Sequence, residues 1–199
     1  LVLEYLHGLG GLGTLGMIGV YWDGFRGGYT ATLDKGVLAM APSGHPRMPK
    51  EEGRFPADWK MEWLRKELLK AGGELWFGTM GCGALSEGGQ VKGLVVATPQ
   101  GRGVLLSKIV IDSTGSADIV IAAGAGYEYT GKNTIAVQGA GTGKWAPGDY
   151  YNNNDWLFVD DTDVLDVSRA FVQAKNKSAQ QFDLVKIPQT RERRRVVGD

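Results

Sequence analysis

Lys108-Ile-Val-Ile-Asp112-Ser-Thr-Gly115-Ser-Ala-Asp118-Ile-Val-Ile-Ala-Ala123 is the stretch on which the fold turns. Lys108–Asp112 is rich in apolar β-branched residues, the composition of a strand buried on both faces. Ser113-Thr114-Gly115 breaks that run, and Ala117–Ala123 reads as a short helix. Strand, glycine turn and helix in that order form half of a nucleotide-binding unit, in which close-lying backbone and helix N–H groups can face a phosphate.

Upstream lie more β signals. Glu74–Met80 reads as a strand, and Gly88-Gly89 as a hairpin turn into Val91–Thr98. Pro99-Gln100-Gly101 is a second turn, leading to Gly103–Ser107. Before this meander stands the clearest helix, Pro56–Ala71. Trp59/Trp63 and Leu64/Leu68 are each spaced i, i+4, Asp58 and Glu62 lie toward the start, Lys66 and Lys70 near the end, and Gly72-Gly73 stop it. Residues 17–55 show no sustained helical period and are read as loops with short strands. Residues 1–6 are an apolar strand followed by the glycine segment Gly8–Gly16.

Downstream, residues 124–158 are rich in Gly, Asn and Tyr, with one strand around Thr134–Gln138. Val164–Lys175 reads as a second helix, in which Val164, Leu165, Phe171 and Val172 share a face and Asp161, Thr162 and Asp163 supply N-terminal caps. Gln189–Arg195 is a short polar and basic run. The fold class is therefore α/β with an antiparallel β insertion.

Composition sets the outer bounds. The 199 residues suit one domain or two small ones. Hydrophobic residues at 43% and charged residues at 22% exclude wholesale disorder. Lys+Arg and Asp+Glu are both 22, so the formal net charge is zero, which argues against a non-specific nucleic-acid binder. A single cysteine excludes a disulfide framework and a cysteine-cluster zinc site. No apolar run has the length of a membrane span. Glycine is the outlier: 31 residues, about twice the usual share, which implies many tight turns and backbone pressed close to something.

Several motifs compete for a chemical meaning. Gly8-Leu-Gly-Gly-Leu-Gly13 satisfies G-x-G-x-x-G after a strand, but Gly16, Gly19 and the aromatics that follow interrupt the helix that this fingerprint requires. Gly126–Lys132 has the spacing of a phosphate-binding P-loop, but Asn133 stands where Ser or Thr must hold magnesium. Asp160, Asp161, Asp163 and Asp166 lack the glycine and closing Glu of a calcium loop, and helix capping explains them better. Arg191–Arg195 is either solvated surface or a clamp for phosphate or carboxylate. His7 and His45 have no catalytic Ser or Cys context. Cys82 is expected as a buried structural thiol, Trp59 and Trp63 as core, and Asn176-Lys-Ser178 as a glycosylation sequon by pattern alone. Trp145, Tyr150, Tyr151 and Asn152–Asn154 have the aromatic and amide character of substrate contacts.

Read together, these segments resemble the FAD-dependent oxidoreductase family with the glutathione-reductase-like FAD/NAD(P)-binding fold. Leu1–Tyr5 followed by Leu9-Gly10-Gly11 resembles that family's second strand and the loop after it. Pro56–Gly115 resembles its helix, strand, β-meander and "ATG" return strand, here Ile111-Asp112-Ser113-Thr114-Gly115-Ser116-Ala117-Asp118, with Ser116 replacing the usual Asp or Asn. Gln189–Asp199 resembles the "RESRRIVGD" signature. The resemblance implies a partial Rossmann-like domain over 1–130, with a loop-rich insertion at about 17–55, and the start of a substrate or cap region over 131–199. The true phosphate fingerprint would then precede Leu1, and the chain would be an internal fragment.

Carried over position by position, the resemblance implies that Glu4 binds the adenosine ribose of FAD and that Gly10 and Gly11, with Thr14, approach the pyrophosphate or flavin. Met80 would meet the adenine through its backbone, and Ser113, Thr114 and Gly115 would pass beside adenosine and pyrophosphate. Arg191 and Arg194 would face the flavin or an anionic substrate. The implied activity is hydride transfer from a small organic substrate to flavin, with no nucleic-acid partner; a non-catalytic remnant of the FAD fold, or a binding module that kept its scaffold, is the alternative. No residue is assigned as a catalytic base.

Overall fold

The computed structural model describes residues 1–16, 19, 21, 24–42 and 54–129. Beyond these it describes 136–138, 142–143, 157–158, 160, 162–169, 172, 182–183, 189–190 and 194–196. In chain order the main elements are β1 (Val2–Glu4), a single 3-10 turn (Gly11–Gly13), α1 (Tyr29–Ala39), α2 (Ala57–Lys70) and β2 (Leu75–Phe77). There follow β3 (Met80–Glu87), β4 (Gln90–Thr98), β5 (Gly101–Leu106) and α3 (Asp118–Ala122). β1 and β2 run parallel, with Val2 opposite Leu75 and Glu4 opposite Phe77, so α1 and α2 lie on the connection between two parallel strands. β3, β4 and β5 form an antiparallel meander. The architecture is mixed α/β, as the sequence implies.

α2 keeps its expected bounds almost to the residue. Asp58 lies in its first turn and Lys70 in its last, matching the helix dipole. Glu62 pairs with Arg65 at 2.7 Å, and the Gly73 N–H returns to the Leu68 carbonyl at 2.9 Å to close the end. Its apolar face makes the main core: Val37, Phe55 and Trp63 are buried, with Tyr21, Leu33, Met40, Trp59 and Leu64 packed around them. Val96 of β4 and Ile119 of α3 are buried as well, and α3 packs on β3. The Gly88-Gly89 hairpin forms as read, with φ of 57° and 74°, the left-handed pair that a two-residue I′ turn requires.

Five expectations are corrected. Residues 17–55 contain a full helix, α1; Thr30, Thr32 and Gly36 depress its intrinsic propensity and hide its period. Packing overrides propensity, because Gly36 faces the Trp63 indole and no side chain would fit between them. The Glu74–Met80 strand is two elements: Gly78 at φ 65° turns the chain after Phe77, and Met80 opens β3 rather than ending β2. Ile109–Asp112 has no regular secondary structure and joins no strand pair among the described residues, and Ile109 and Ile111 are exposed.

Cys82 is exposed, not buried. The β3–β4 register slips between Gly81 and Gly83, so Cys82 is the extra residue of a bulge and is turned outward. Tyr127–Tyr129 of the suspected P-loop is a strand, β6, antiparallel to Arg194–Val196; Lys132 and Asn133 lie outside the described residues.

The remaining strands pair in small antiparallel groups. Ala136–Gln138 lies between Gln189–Thr190 and Leu157–Phe158, and Thr142–Gly143 pairs with Phe182–Asp183. Residues 164–169 are helical, with Val164 and Leu165 on the surface. The acidic residues before this helix cap it, as expected: Asp163 Oδ1 accepts the Leu165 N–H at 2.9 Å and Asp160 Oδ1 accepts that of Thr162 at 3.1 Å. Among the described residues no group of His, Cys, Asp or Glu could hold a metal ion. Phe171, Asp161, His45, Trp145, Tyr150, Tyr151, Asn152–Asn154 and the 176–178 sequon lie outside the described residues. No helix among them is long and apolar enough to cross a membrane.

Candidate functional site

The carboxyl ends of β1 and β2 lie side by side, with Glu4 and the start of the glycine loop at one and Met80 just beyond the other. Ligands of open α/β sheets sit outside such strand ends. Glu4 is the last residue of β1; its Oε1 accepts the Leu6 N–H at 2.8 Å, which bends the chain into the glycine loop. Its carbonyl accepts the Thr79 N–H at 3.2 Å, so Met80 begins β3 directly beside this strand end.

The glycine loop is built against α2. A Cβ on Gly8 would strike Met61, one on Gly10 would meet Thr14 and Leu64, and one on Gly13 would lie 2.9 Å from Lys60 Nζ. Gly8 and Gly10 thus lie tight against α2 side chains, Gly10 also having φ 103°, and Gly13 faces the flexible end of Lys60. Gly11 differs: its φ is 52° and nothing lies within 4 Å of where its Cβ would be. Its backbone faces open space at the exposed crest of the loop.

Thr14 is buried. Its hydroxyl donates to the Leu9 carbonyl at 2.6 Å and lies 3.3 Å from that of Gly11, so it latches the loop from inside.

Ser113, Thr114 and Gly115 form an exposed turn before α3. α3 packs on β3, where Ile119 Cδ1 would lie 3.0 Å from a Cβ on Gly81. Gly81 follows Met80, so the turn is carried by an element docked next to the β1 end. Gly115 has φ 80° and open space around its Cβ direction, leaving room for close approach. Arg194 lies in a different strand pair, opposite Tyr129. Arg191 lies outside the described residues.

Two residues that matter here were not singled out in the sequence. Asp112 orders the whole turn: Oδ1 accepts the Thr114 N–H at 2.8 Å, and Oδ2 accepts those of Ile119 and Val120, each at 2.9 Å. The Thr114 hydroxyl takes the Asp118 N–H at 2.9 Å. Partial burial would raise the Asp112 pKa, but these donors outweigh it and hold the carboxyl below its ordinary value. The free N–H groups of α3 are thus used by its own chain, and its N-terminus is no open anion site. The signal was an Asp two residues before a Thr in a turn.

The second is Lys60, buried on α2. Its Nζ donates to the Tyr21 hydroxyl at 3.2 Å and stands 3.9 Å from the Phe55 ring centroid and 4.6 Å from that of Tyr21. Burial lowers its pKa, and the negative charge of Asp34 works against that shift. Tyr21 is pushed up to about 12 by burial, by the Asp34 charge and by a hydrogen bond with Asp34. A lysine three residues before Trp63 and four before Leu64, on the apolar face, was the available clue.

The described residues thus include a strand end carrying a carboxylate, a loop with an open glycine at Gly11 and an exposed turn of small residues at Ser113–Gly115. The profile of the family described as FAD dependent oxidoreductase matches residues 2–198. The chain belongs to the FAD dependent oxidoreductase family. FAD is accordingly the expected cofactor, and the open Cβ directions at Gly11 and Gly115 leave room for a group close to the backbone. No curated protein matches the chain. Among solved structures it is similar to the OxyS anhydrotetracycline hydroxylase from Streptomyces rimosus, at 19% identity and TM-score 0.40 over 57% of this chain and 26% of that one. It is also similar to a structure titled for BexE and oxidation during BE-7585A biosynthesis, at 18% identity and TM-score 0.42, over 71% and 34% respectively. The chain therefore spans 26% and 34% of those two proteins' lengths.

Proposed function

We propose that this chain binds FAD at the carboxyl end of β1 and serves an oxidoreductase that moves a hydride from a small organic substrate. Residues 1–130 form the cofactor unit in this reading, and residues 131–199 begin the substrate region. When bound, FAD supplies the hydride acceptor. The carboxylate of Glu4 would accept hydrogen bonds from the adenosine ribose. Gly10 and Gly11 would bring backbone up to the pyrophosphate, with Thr14 fixing the loop's shape from within. Met80 would offer backbone to the adenine, and Ser113, Thr114 and Gly115 would line the other side. Arg194, with Arg191, would serve the flavin or an anionic substrate. What supports the reading is the pairing of an acidic strand end with a following loop whose backbone is open at Gly11, in contrast to Gly8, Gly10 and Gly13.

The test is a titration of the protein with FAD and with FMN, which lacks the adenosine. Glu4→Gln should raise the FAD Kd about tenfold, the size of one lost charge-assisted hydrogen bond, and leave FMN unchanged. Equal FAD affinity in the two proteins would remove Glu4 from the site. Absence of FAD binding would remove the reading itself.

A further inference from the structure

We propose that the buried ammonium of Lys60, seated behind Gly13, stabilises the diphosphate of the bound dinucleotide through the glycine loop, and that Asp34 sets how much of that charge is felt. This rests on the cofactor reading above.

Lys60 is 8% exposed, and a lysine so buried ordinarily needs a charged partner. Among the ion pairs of the described residues Lys60 takes part in none, and Asp34 acts on it by its charge. Its neighbours are the faces of Phe55 and Tyr21 and the Tyr21 hydroxyl, one neutral acceptor for three donors. The charge is held in apolar surroundings, where its field is weakly screened.

That field meets the loop at one place. A Cβ on Gly13 would lie 2.9 Å from Nζ, so only the bare backbone of Gly13 separates the ammonium from the loop. Gly13 is half-buried and Gly11 and Leu12 before it are exposed, so the opposite side of this turn is accessible to a ligand. An anion placed there gains attraction without touching the lysine. Asp34 opposes this. Its charge acts on both Lys60 and Tyr21, and its Oδ1 is buried with no hydrogen-bond partner. Arg26 completes the charged group: its guanidinium carbon lies 5.8 Å from the Tyr21 ring centroid, and a terminal nitrogen donates to the Tyr21 carbonyl at 3.1 Å.

The arrangement makes two opposite predictions for one readout, the ratio of adenosine Kd to ADP Kd, which isolates the diphosphate. Lys60→Met should lower this ratio about tenfold, the order expected of a charge acting across a few ångströms of protein. Asp34→Asn should raise it severalfold, and Lys60→Arg should keep most of it. Calorimetric titrations of the full chain with both nucleotides, checked by circular dichroism for folding, measure it. A merely structural lysine would weaken adenosine and ADP together and leave the ratio unchanged, which would overturn the proposal. If Lys60→Met does not fold, Lys60→Met/Asp34→Asn removes both charges, and Asp34→Asn alone decides: an unchanged or lower ratio overturns the proposal. Wild-type protein that binds neither nucleotide overturns the cofactor reading and this proposal with it. Wild-type binding with an unmoved ratio overturns this proposal alone.

Discussion

The Asp112 carboxylate and the Val120 amide, eight residues apart, meet at 2.9 Å and tie the turn at Thr114 to the first turn of α3. The same side chain holds the N–H groups of Thr114 and Ile119. Asp112→Ala should therefore cost about 2 kcal/mol, the upper range for losing a helix cap, because three donors lose one acceptor. Asp112→Asn should cost less, since its carbonyl oxygen replaces part of the set. Urea unfolding measures both, and an alanine variant as stable as wild type would show that water replaces the carboxylate without loss.

The same carboxylate sets an acid limit. Its folded pKa lies below the ordinary value near 3.9, so the unfolded chain takes up a proton first as pH falls. The contribution is complete above about pH 4 and disappears as pH drops through the lower folded value. Wild type should lose stability across that range, and Asp112→Ala should show a flatter profile. Parallel profiles would assign the acid loss to other carboxylates.

These two residues also show what sequence reading reaches. The α2 helix, the hairpin at Gly88-Gly89 and the acidic caps before residue 164 follow from local rules, and local rules predict them. α1 does not, because Gly36 and two threonines weaken its pattern, and its reason for being helical is Trp63 on another element. The glycine loop was legible as a close approach of backbone. The surface it approaches was not, since Met61, Leu64 and Lys60 lie some fifty residues further along the chain. Cys82 was misread because a bulge reverses the alternation by which burial is inferred on a strand.

Cys82 gives the simplest check of that geometry. Its thiol is exposed, with Sγ 3.5 Å from the Val95 carbonyl. One equivalent of a thiol reagent should react with the folded protein without denaturant. Cys82→Ser should change stability by no more than about 0.5 kcal/mol, as for an ordinary surface position. Labelling that requires denaturant would mean that the bulge faces inward.

Lys60 and Tyr21 should impose opposite slopes on alkaline stability. The folded pKa of Lys60 is lowered by burial, so the folded chain gives up its proton before the unfolded one. Stability gains from this group as pH rises through that value toward about 10.4. Tyr21 is raised to about 12, so its contribution is complete below about pH 10 and is lost as pH climbs toward 12. Tyr21→Phe should remove the fall, and Lys60→Met should remove the rise. Thermal melts from pH 8 to 12 read both slopes. A Tyr21→Phe variant that keeps the wild-type decline would place the titrating group elsewhere.

Two glycine-to-alanine variants separate packing from ligand approach. In Gly36→Ala the new methyl meets the Trp63 indole at the centre of the α1–α2 core. Alanine favours a helix by up to about 1 kcal/mol, whereas overpacking a core costs about 1–3 kcal/mol, so this variant should be destabilised on balance. In Gly11→Ala the methyl meets nothing, and the cost is the left-handed φ of 52°, about 1 kcal/mol. Its methyl does, however, occupy the open space proposed for the cofactor. Gly11→Ala should thus remain folded while its FAD affinity falls tenfold or more; Gly36→Ala should lose stability while its remaining folded fraction binds as wild type. Titration and melting of the two side by side give the comparison. Unimpaired FAD binding in Gly11→Ala would mean that the crest of the loop faces solvent and not the cofactor.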